Sequence, residues 1–227
     1  MNQIADLIDR MAVIPAKEKK TNQLGVMTAF RDKLMSAADD LHAMRALTAA
    51  LRSIDGADFA DKANQSLEGA STAALKFRER MVAGRAFDNE RADATLTAIN
   101  EKLGLASANV GKGWKALIDD QRRRFSPLAE AAERAALPGA AGLNAAIDAL
   151  ANWRDNPPAT PQAAEAYIQN AASIPAAIAG LGLEGRAGEF LIAASKGDAK
   201  AKDLQEPGVL AFLDANPAIW SMLKVRI

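Results

Sequence analysis

Alanine constrains the fold of this chain more than any other residue. It occurs 52 times among 227 residues, whereas valine and isoleucine together occur 19 times and tyrosine once. Alanine is the best intrinsic helix former, and strands favour the β-branched and aromatic residues that are scarce here. Hydrophobic residues make up 49% of the chain, which is enough to bury a core. We therefore expect an all-α fold.

Three successive segments of the first half carry apolar residues at seven-residue intervals. Each segment has two such series, offset by three or four positions, as in helices that pack in a coiled-coil-like bundle. The paired series are Met27, Leu34, Leu41 and Thr48 with Phe30, Ala37, Met44 and Leu51; Ala60, Leu67, Ala74 and Met81 with Ala63, Ala70, Phe77 and Gly84; and Ala92, Ile99 and Ala106 with Leu96, Leu103, Val110 and Leu117.

The connections between these segments are short, near residues 54–56 and 84–88, so neighbouring helices are expected to run antiparallel. Ser53 or Asp55 is placed to cap the second helix, and Asp88 is placed to cap the third. The sequence thus predicts an elongated antiparallel bundle. Alanine at many core positions of this bundle buries little apolar area. Such a bundle therefore needs a further helix, either the short one at residues 2–14 or one from another subunit.

The third segment contains Gly104, Gly111 and Gly113. Each glycine costs about 1 kcal/mol relative to alanine in a helix interior, so we expect a kink, bulge or break, or a close contact between helices. A phosphate-binding loop is not indicated, because Gly113 stands where serine or threonine would hold magnesium and no strand precedes the segment.

The seven-residue repeat ends near Pro127, and a new helix is expected to start there. Proline and glycine residues then divide the rest of the sequence into short segments, which predicts a compact domain of short helices. The expected domains are residues 1–125 and 126–227, with a boundary anywhere in 126–160 and the best linker at 152–161. The apolar residues available for the second core are Tyr167, Ile168, Phe190, Leu191, Val209, Leu210, Phe212, Leu213, Ile219, Trp220 and Leu223.

Targeting signals are weak. The charge-free run of residues 166–183 contains Pro175 and is rich in alanine, so two short buried helices broken at Pro175 explain it better than a membrane span. Asp6, Asp9 and Arg10 interrupt the apolar start of the chain, which argues against an export signal. With no cysteine in the chain, a cytoplasmic location is the expectation. Heavy use of alanine and arginine is compatible with a bacterial genome of high GC content.

The composition excludes several kinds of catalytic site. One histidine, His42, and no cysteine exclude two-histidine zinc motifs, thiolate metal sites and cysteine nucleophiles. His42 follows Asp39 and Asp40 and reads as an ordinary helix-surface residue. Carboxylates such as Asp119 and Glu189 could be brought together by folding, but helical proteins carry such residues everywhere. We therefore predict no enzyme, no catalytic residue, no cofactor and no metal.

Two sets of residues are candidates for binding. The basic set, which could contact nucleic acid, consists of Lys112, Lys115, Arg122, Arg123 and Arg124. Acidic neighbours reduce its net positive charge. Cations near the C-terminal end of a helix also suit the helix dipole, which explains them without a ligand. The apolar set is Trp220, Leu223, Val225 and Ile227 at the C-terminal end. Tryptophan in such a protein more often fills the core, but the apolar tail makes this set a candidate protein interface.

The charge is balanced over the whole chain, with 28 basic and 28 acidic residues. Residues 1–125 carry 20 basic and 17 acidic side chains, and residues 126–227 carry 8 and 11, so neither half indicates a polyanionic or polycationic partner. The best functional hypothesis is a non-catalytic helical interaction or scaffold protein that is a subunit or accessory of a larger protein assembly, through a protein partner or self-association. The alternative is a nucleic-acid-associated accessory protein that uses the basic set.

Overall fold

The computed structural model describes residues 20–83 and 88–220. Within these ranges the chain forms eight α-helices and one short 3₁₀ helix and contains no β-strand, which confirms the all-α class. The helices are α1 (Lys20–Leu51), α2 (Phe59–Val82), α3 (Asn89–Arg134), α4 (Ala140–Ala151), α5 (Pro161–Gly180), α6 (Arg186–Lys196), α7 (Pro207–Ala215) and α8 (Pro217–Trp220), with the 3₁₀ helix at Ala201–Gln205.

The chain divides into two compact units. The first comprises residues 1–114 with 158–161, and the second comprises residues 115–157 with 162–227. Helix α3 contributes its first part to unit 1 and its last part to unit 2. Whether residues 1–125 and 126–227 are domains that fold separately stays a prediction.

In unit 1, α1 and α2 form a closely packed antiparallel pair. The direction follows from contacts in which residue numbers rise along α1 as they fall along α2. These contacts are the Phe30 and Phe77 rings with centroids 5.2 Å apart, Arg45 Nη2 donating to Ser71 Oγ at 2.7 Å, and Arg52 Nε donating to Asp61 Oδ1 at 2.9 Å.

Helices α2 and α3 are antiparallel by the same criterion. A Cβ atom at Gly69 would lie 3.5 Å from the Lys102 side chain, and one at Gly113 would overlap the Phe59 side chain. Phe59 is the first residue of α2 and Gly113 lies far along α3, so the start of one helix is beside the later part of the other. The antiparallel order expected from the short connections is therefore present.

Nearly all of the positions that the seven-residue repeat assigns to the core are buried up to Val110. Met27, Met44 and Met81 are only half-buried, and Gly84 lies outside the described residues. After Val110 the next buried residues follow at intervals of four, namely Trp114 and Ile118. Leu117, which the seven-residue repeat assigns to the core, is only half-buried. The repeat predicts the buried stripe correctly as far as Val110, and coiled-coil packing itself stays a prediction.

Helix α3 is continuous from Asn89 to Arg134. Asp88 caps it as expected, because Asp88 Oδ1 accepts a hydrogen bond from the Arg91 backbone N–H at 3.3 Å. A break at the glycines and a helix start near Pro127 are both wrong, whereas the alternative of a close contact between helices is confirmed at Gly113, which lies against Phe59. The helix passes through Gly104, Gly111, Gly113 and Pro127.

Burial explains why the prolines do not end their helices. An interior proline costs about 3 kcal/mol or more. The turn that follows Pro127 buries the apolar residues Leu128, Ala129, Ala131 and Ala132, which offsets that cost. In α5 the expected break at Pro175 is also wrong. Ile174 is buried beside it, and Pro175 is exposed, so the carbonyl that loses its partner can reach water.

The expected cap of α2 is wrong as well. Helix α2 begins at Phe59, so neither Ser53 nor Asp55 occupies the capping position. Ile54 and Ala57 are buried, which draws the connection into the core before the helix starts.

Unit 2 buries most of the apolar residues expected for its core, including Tyr167, Phe190 and Leu213. Three of the expected core residues are exposed instead: Ile168, Leu210 and Trp220. Leu223 lies outside the described residues. Among the described helices, none is long and apolar enough to cross a membrane.

Replacing glycine by alanine in α3 is expected to give opposite results two residues apart. At Gly111 nothing lies near a new Cβ, so Gly111→Ala should raise the free energy of unfolding by about 1 kcal/mol through helix propensity. At Gly113 the new methyl would collide with Phe59, and Gly113→Ala should lower it by about 1 to 3 kcal/mol. Equilibrium urea unfolding measures both. Equal stabilisation by the two variants would contradict the close approach of Phe59 to α3.

Candidate interaction surfaces

All five residues of the basic set lie on α3. Successive residues of an α-helix are rotated by about 100° from one another, so residues three, seven or eleven positions apart lie on one side. Lys112, Lys115, Arg122 and Arg123 therefore fall within about 100° of the helix circumference, and Arg124 points about 100° away from Arg123.

Several cations of the basic set have partners in unit 2. Lys115 Nζ lies 2.8 Å from Asp155 Oδ1, Arg123 Nη1 lies 3.8 Å from Asp120 Oδ1, and the Arg124 guanidinium lies 5.4 Å from the centre of the Phe125 ring. Carboxylates thus neutralise part of the positive charge that the sequence places on this helix.

A polar cluster in unit 2 joins α3 to the connection between α4 and α5. Arg154 donates two hydrogen bonds to Asp119, from Nε to Oδ1 at 2.8 Å and from Nη2 to Oδ2 at 3.0 Å. This bidentate geometry is stronger than a single exposed ion pair. The hydrogen bond from Arg154 lowers the pKa of Asp119, and the hydrogen bond from Lys115 lowers the pKa of Asp155. Sequence reasoning missed this cluster, since Asp119 and Arg154 are 35 residues apart.

Tyr167 adds a second polar link between α5 and α3. Its hydroxyl donates to Gln121 Oε1 at 2.7 Å, and the Trp153 ring meets the Tyr167 ring edge-on at 5.9 Å. Burial raises the pKa of Tyr167, so the hydroxyl keeps its proton at neutral pH and remains a donor. Both polar links therefore hold the helices of unit 2 in place.

Trp220, at the end of α8, is 43% exposed, although tryptophan was expected to be a core residue more often than a surface residue. Its neighbour Ile219 is only 2% exposed. Trp114, by contrast, is fully buried in unit 1. The other members of the apolar set, Leu223, Val225 and Ile227, lie outside the described residues.

A cleft of about 670 Å³ lies between the end of α2 and the start of α3 in unit 1. We call it the α2–α3 cleft. The buried ring of Phe77 and small side chains form its apolar part, and three cations and one carboxylate form its polar part. The lining residues are Ala73, Lys76, Phe77, Glu79, Arg80, Ala83, Arg91, Ala94, Thr95 and Ala98. The sequence signal that could have found it is alanine at facing positions of two antiparallel helices.

Metal ligation was not expected from the composition. Within residues 20–83 and 88–220, no group of three or more histidine and carboxylate side chains is arranged to hold a metal ion. His42 is exposed on α1.

The chain was compared with protein family models, curated proteins and solved structures, and none of them matches it.

The Asp119–Arg154 ion pair predicts a pH-dependent contribution to stability. Because the pKa of Asp119 is lower in the folded state, the contribution is present above the unfolded pKa of about 3.9 and is lost as pH falls through the folded pKa. Asp119→Asn should therefore be less stable than the natural chain near neutral pH, and the difference should shrink below about pH 4. Urea unfolding at a series of pH values measures it.

The matched control for this prediction is Glu165→Gln, which removes an exposed carboxylate on α5. It should change stability little near neutral pH. A stability deficit of Asp119→Asn that stays constant down to about pH 2 would contradict the role of the ion pair.

Proposed function

We propose that the protein is a non-catalytic helical interaction protein, a subunit or accessory of a larger protein assembly, with Trp220 as an anchor of its interface. The observation that carries this proposal is the exposure of the Trp220 side chain in unit 2. Tryptophan contributes more binding energy at protein interfaces than most residues, because its large ring buries roughly 150 to 250 Å² of surface.

The local structure holds Trp220 in a defined position. Asn216 Nδ2 donates to the Phe212 carbonyl at 2.9 Å, and the Ile219 backbone N–H donates to the Asn216 carbonyl at 3.0 Å. The buried Ile219 side chain fixes α8 on the core of unit 2. An exposed ring on a fixed turn loses little conformational entropy on binding, which favours an interface role.

The proposal includes features that the sequence favours. A net charge of zero lowers the repulsion between copies or partners, so association is easier. The cysteine-free composition suits action in a bacterial cytoplasm. The seven-residue repeats of α1 to α3 suit coiled-coil-like packing that spaces binding surfaces along a helical scaffold.

Trp220→Ala should weaken association about thirtyfold while leaving the fold intact, because the side chain removed is largely exposed. Light scattering across a concentration series measures self-association. A pull-down of the tagged chain from native lysate, with mass spectrometry, measures partner binding.

Leu210→Ala is the matched control, since Leu210 is another exposed apolar residue of unit 2 at 39% exposure. It should leave association unchanged. A monomer that captures no protein, or equal losses for the two variants, would overturn the proposal.

Nucleic-acid association is the second candidate function. It is favoured by the positive field on α3, where Arg122 and Arg123 both help to lower the pKa of Asp119. The ion pairs of Lys115 and Arg123 count against it, because those cations are already partly neutralised.

Changing Arg122, Arg123 and Arg124 together to alanine should weaken nucleic-acid binding and make it less salt-dependent. The salt slope should fall by about one for each phosphate that the variant no longer neutralises. Fluorescence anisotropy with a labelled duplex at several salt concentrations measures this. Arg134→Ala, on the same helix and paired with Glu130, is the control and should change little. Binding that is indifferent to the triple change would exclude the basic set.

A further inference from the structure

The positive charge of the α2–α3 cleft lies on turns of two helices. Lys76 and Arg80 lie one turn apart on α2, and Arg91 lies in the first turn of α3. Glu79 is the one acidic residue among the described residues that line the cleft. The helix expected at residues 2–14 lies outside the described residues, and this site is built from α2 and α3 alone.

The antiparallel register of the two helices brings Arg80 opposite Arg91. Gly69 of α2 lies beside Lys102 of α3, and the contact of α2 and α3 at the other end of the pair gives the same register to within one residue. Arg80 is eleven residues after Gly69 and Arg91 is eleven residues before Lys102, so the two arginines lie at the same level. Because both line the cleft, two like charges meet across it, and an anion between them would relieve their repulsion.

The three cations have donors available for such an anion. No described carboxylate lies within ion-pair distance of Lys76 or Arg80. Arg91 pairs with Asp88 through Nε, 3.2 Å from Oδ2, and no described group accepts a hydrogen bond from its Nη1 or Nη2. All three cationic side chains are exposed, so they can turn toward a ligand. The planar guanidinium groups suit the oxygens of a phosphate.

An apolar strip continues from these cations along the cleft. The same register places Phe77 opposite Ala94 and Ala73 opposite Ala98. Phe77 is only 7% exposed, so its ring forms a fixed part of the floor. Seven residues, or about 10 Å of helix, separate the level of Arg80 from that of Ala73. A ligand with one anionic end and an apolar body of similar length therefore complements the cleft.

Size and charge together indicate the class of ligand. The volume of about 670 Å³ lies within the range of roughly 300 to 1,000 Å³ that is typical of small-molecule pockets. A phosphate monoester carries nearly two negative charges at neutral pH and three acceptor oxygens, whereas a carboxylate carries one charge. Three lining cations with a single lining carboxylate suit the more highly charged group.

We propose that the α2–α3 cleft binds a phosphate monoester of a small apolar alcohol. The phosphate lies between Arg80 and Arg91 and within reach of Lys76, and the apolar body lies over Phe77 and the facing alanines. The site lies in unit 1 and does not depend on the interface at Trp220.

Isothermal titration calorimetry of the full-length chain with 1-naphthyl phosphate at low ionic strength tests the proposal. Arg80→Gln combined with Arg91→Gln should weaken binding at least about tenfold, because both guanidinium groups are lost. The matched control combines Lys62→Gln with Arg134→Gln, which removes one exposed cation from each of the same two helices outside the cleft. The control should leave binding unchanged.

A second variant tests the apolar end of the cleft. Ala94 is exposed and lines the cleft, so Ala94→Phe should place a ring over Phe77 and weaken binding at least about tenfold. Ala108→Phe, at an exposed position about 21 Å farther along α3, should have no effect. Circular dichroism checks that each variant keeps its helices.

Two further probes separate the parts of the ligand. Inorganic phosphate lacks the apolar body and 1-naphthoate lacks the second negative charge, so each should bind at least about tenfold more weakly than 1-naphthyl phosphate. No binding of 1-naphthyl phosphate, equal binding of either probe, or equal losses in the control variants would overturn the proposal. Tighter binding of an oligo-glutamate peptide would also overturn it, because the occupant would then be an acidic polypeptide.

Discussion

Close packing through small side chains is the constraint on which unit 1 depends. Ala60, Ala63, Ala70 and Ala106 are fully buried, so short side chains form much of the core between these helices. Gly113 has no side chain at all, and the Phe59 side chain occupies the space that a Cβ would need. Short side chains let helix axes approach closely, which gains van der Waals attraction but buries little apolar area per residue. A bundle built in this way gains from any further apolar segment that can cover it.

The sequence predicted the helical class and most of the buried stripe because both follow from local properties, namely alanine content and the spacing of apolar residues. It failed where tertiary packing overrides local preference. Pro127 and Pro175 look like helix ends, yet the turns around them bury Leu128, Ala129 and Ile174 and continue the helix. Asp55 looks like a cap, yet the burial of Ile54 draws the connection inward.

The candidate sites were predicted less well than the fold. The basic residues on α3 were visible in the sequence. The ion pair of Lys115 could not be predicted from it, because the partner Asp155 lies far along the chain. The α2–α3 cleft needs two helices in a particular register, which no single segment encodes. Trp220 was identified as a candidate, and its exposure next to the buried Ile219 gives that residue a defined surface position.

Replacing Ala70 by leucine tests the small-residue packing most directly. Ala70 is fully buried on α2, so the added methyl groups should lower the free energy of unfolding by about 1 to 3 kcal/mol in equilibrium urea unfolding. Ala108→Leu, at an exposed position on α3, should change it by less than about 0.5 kcal/mol. An Ala70→Leu chain as stable as the natural one, or more stable, would mean that the seam has room for larger residues and would contradict the close approach of the helices.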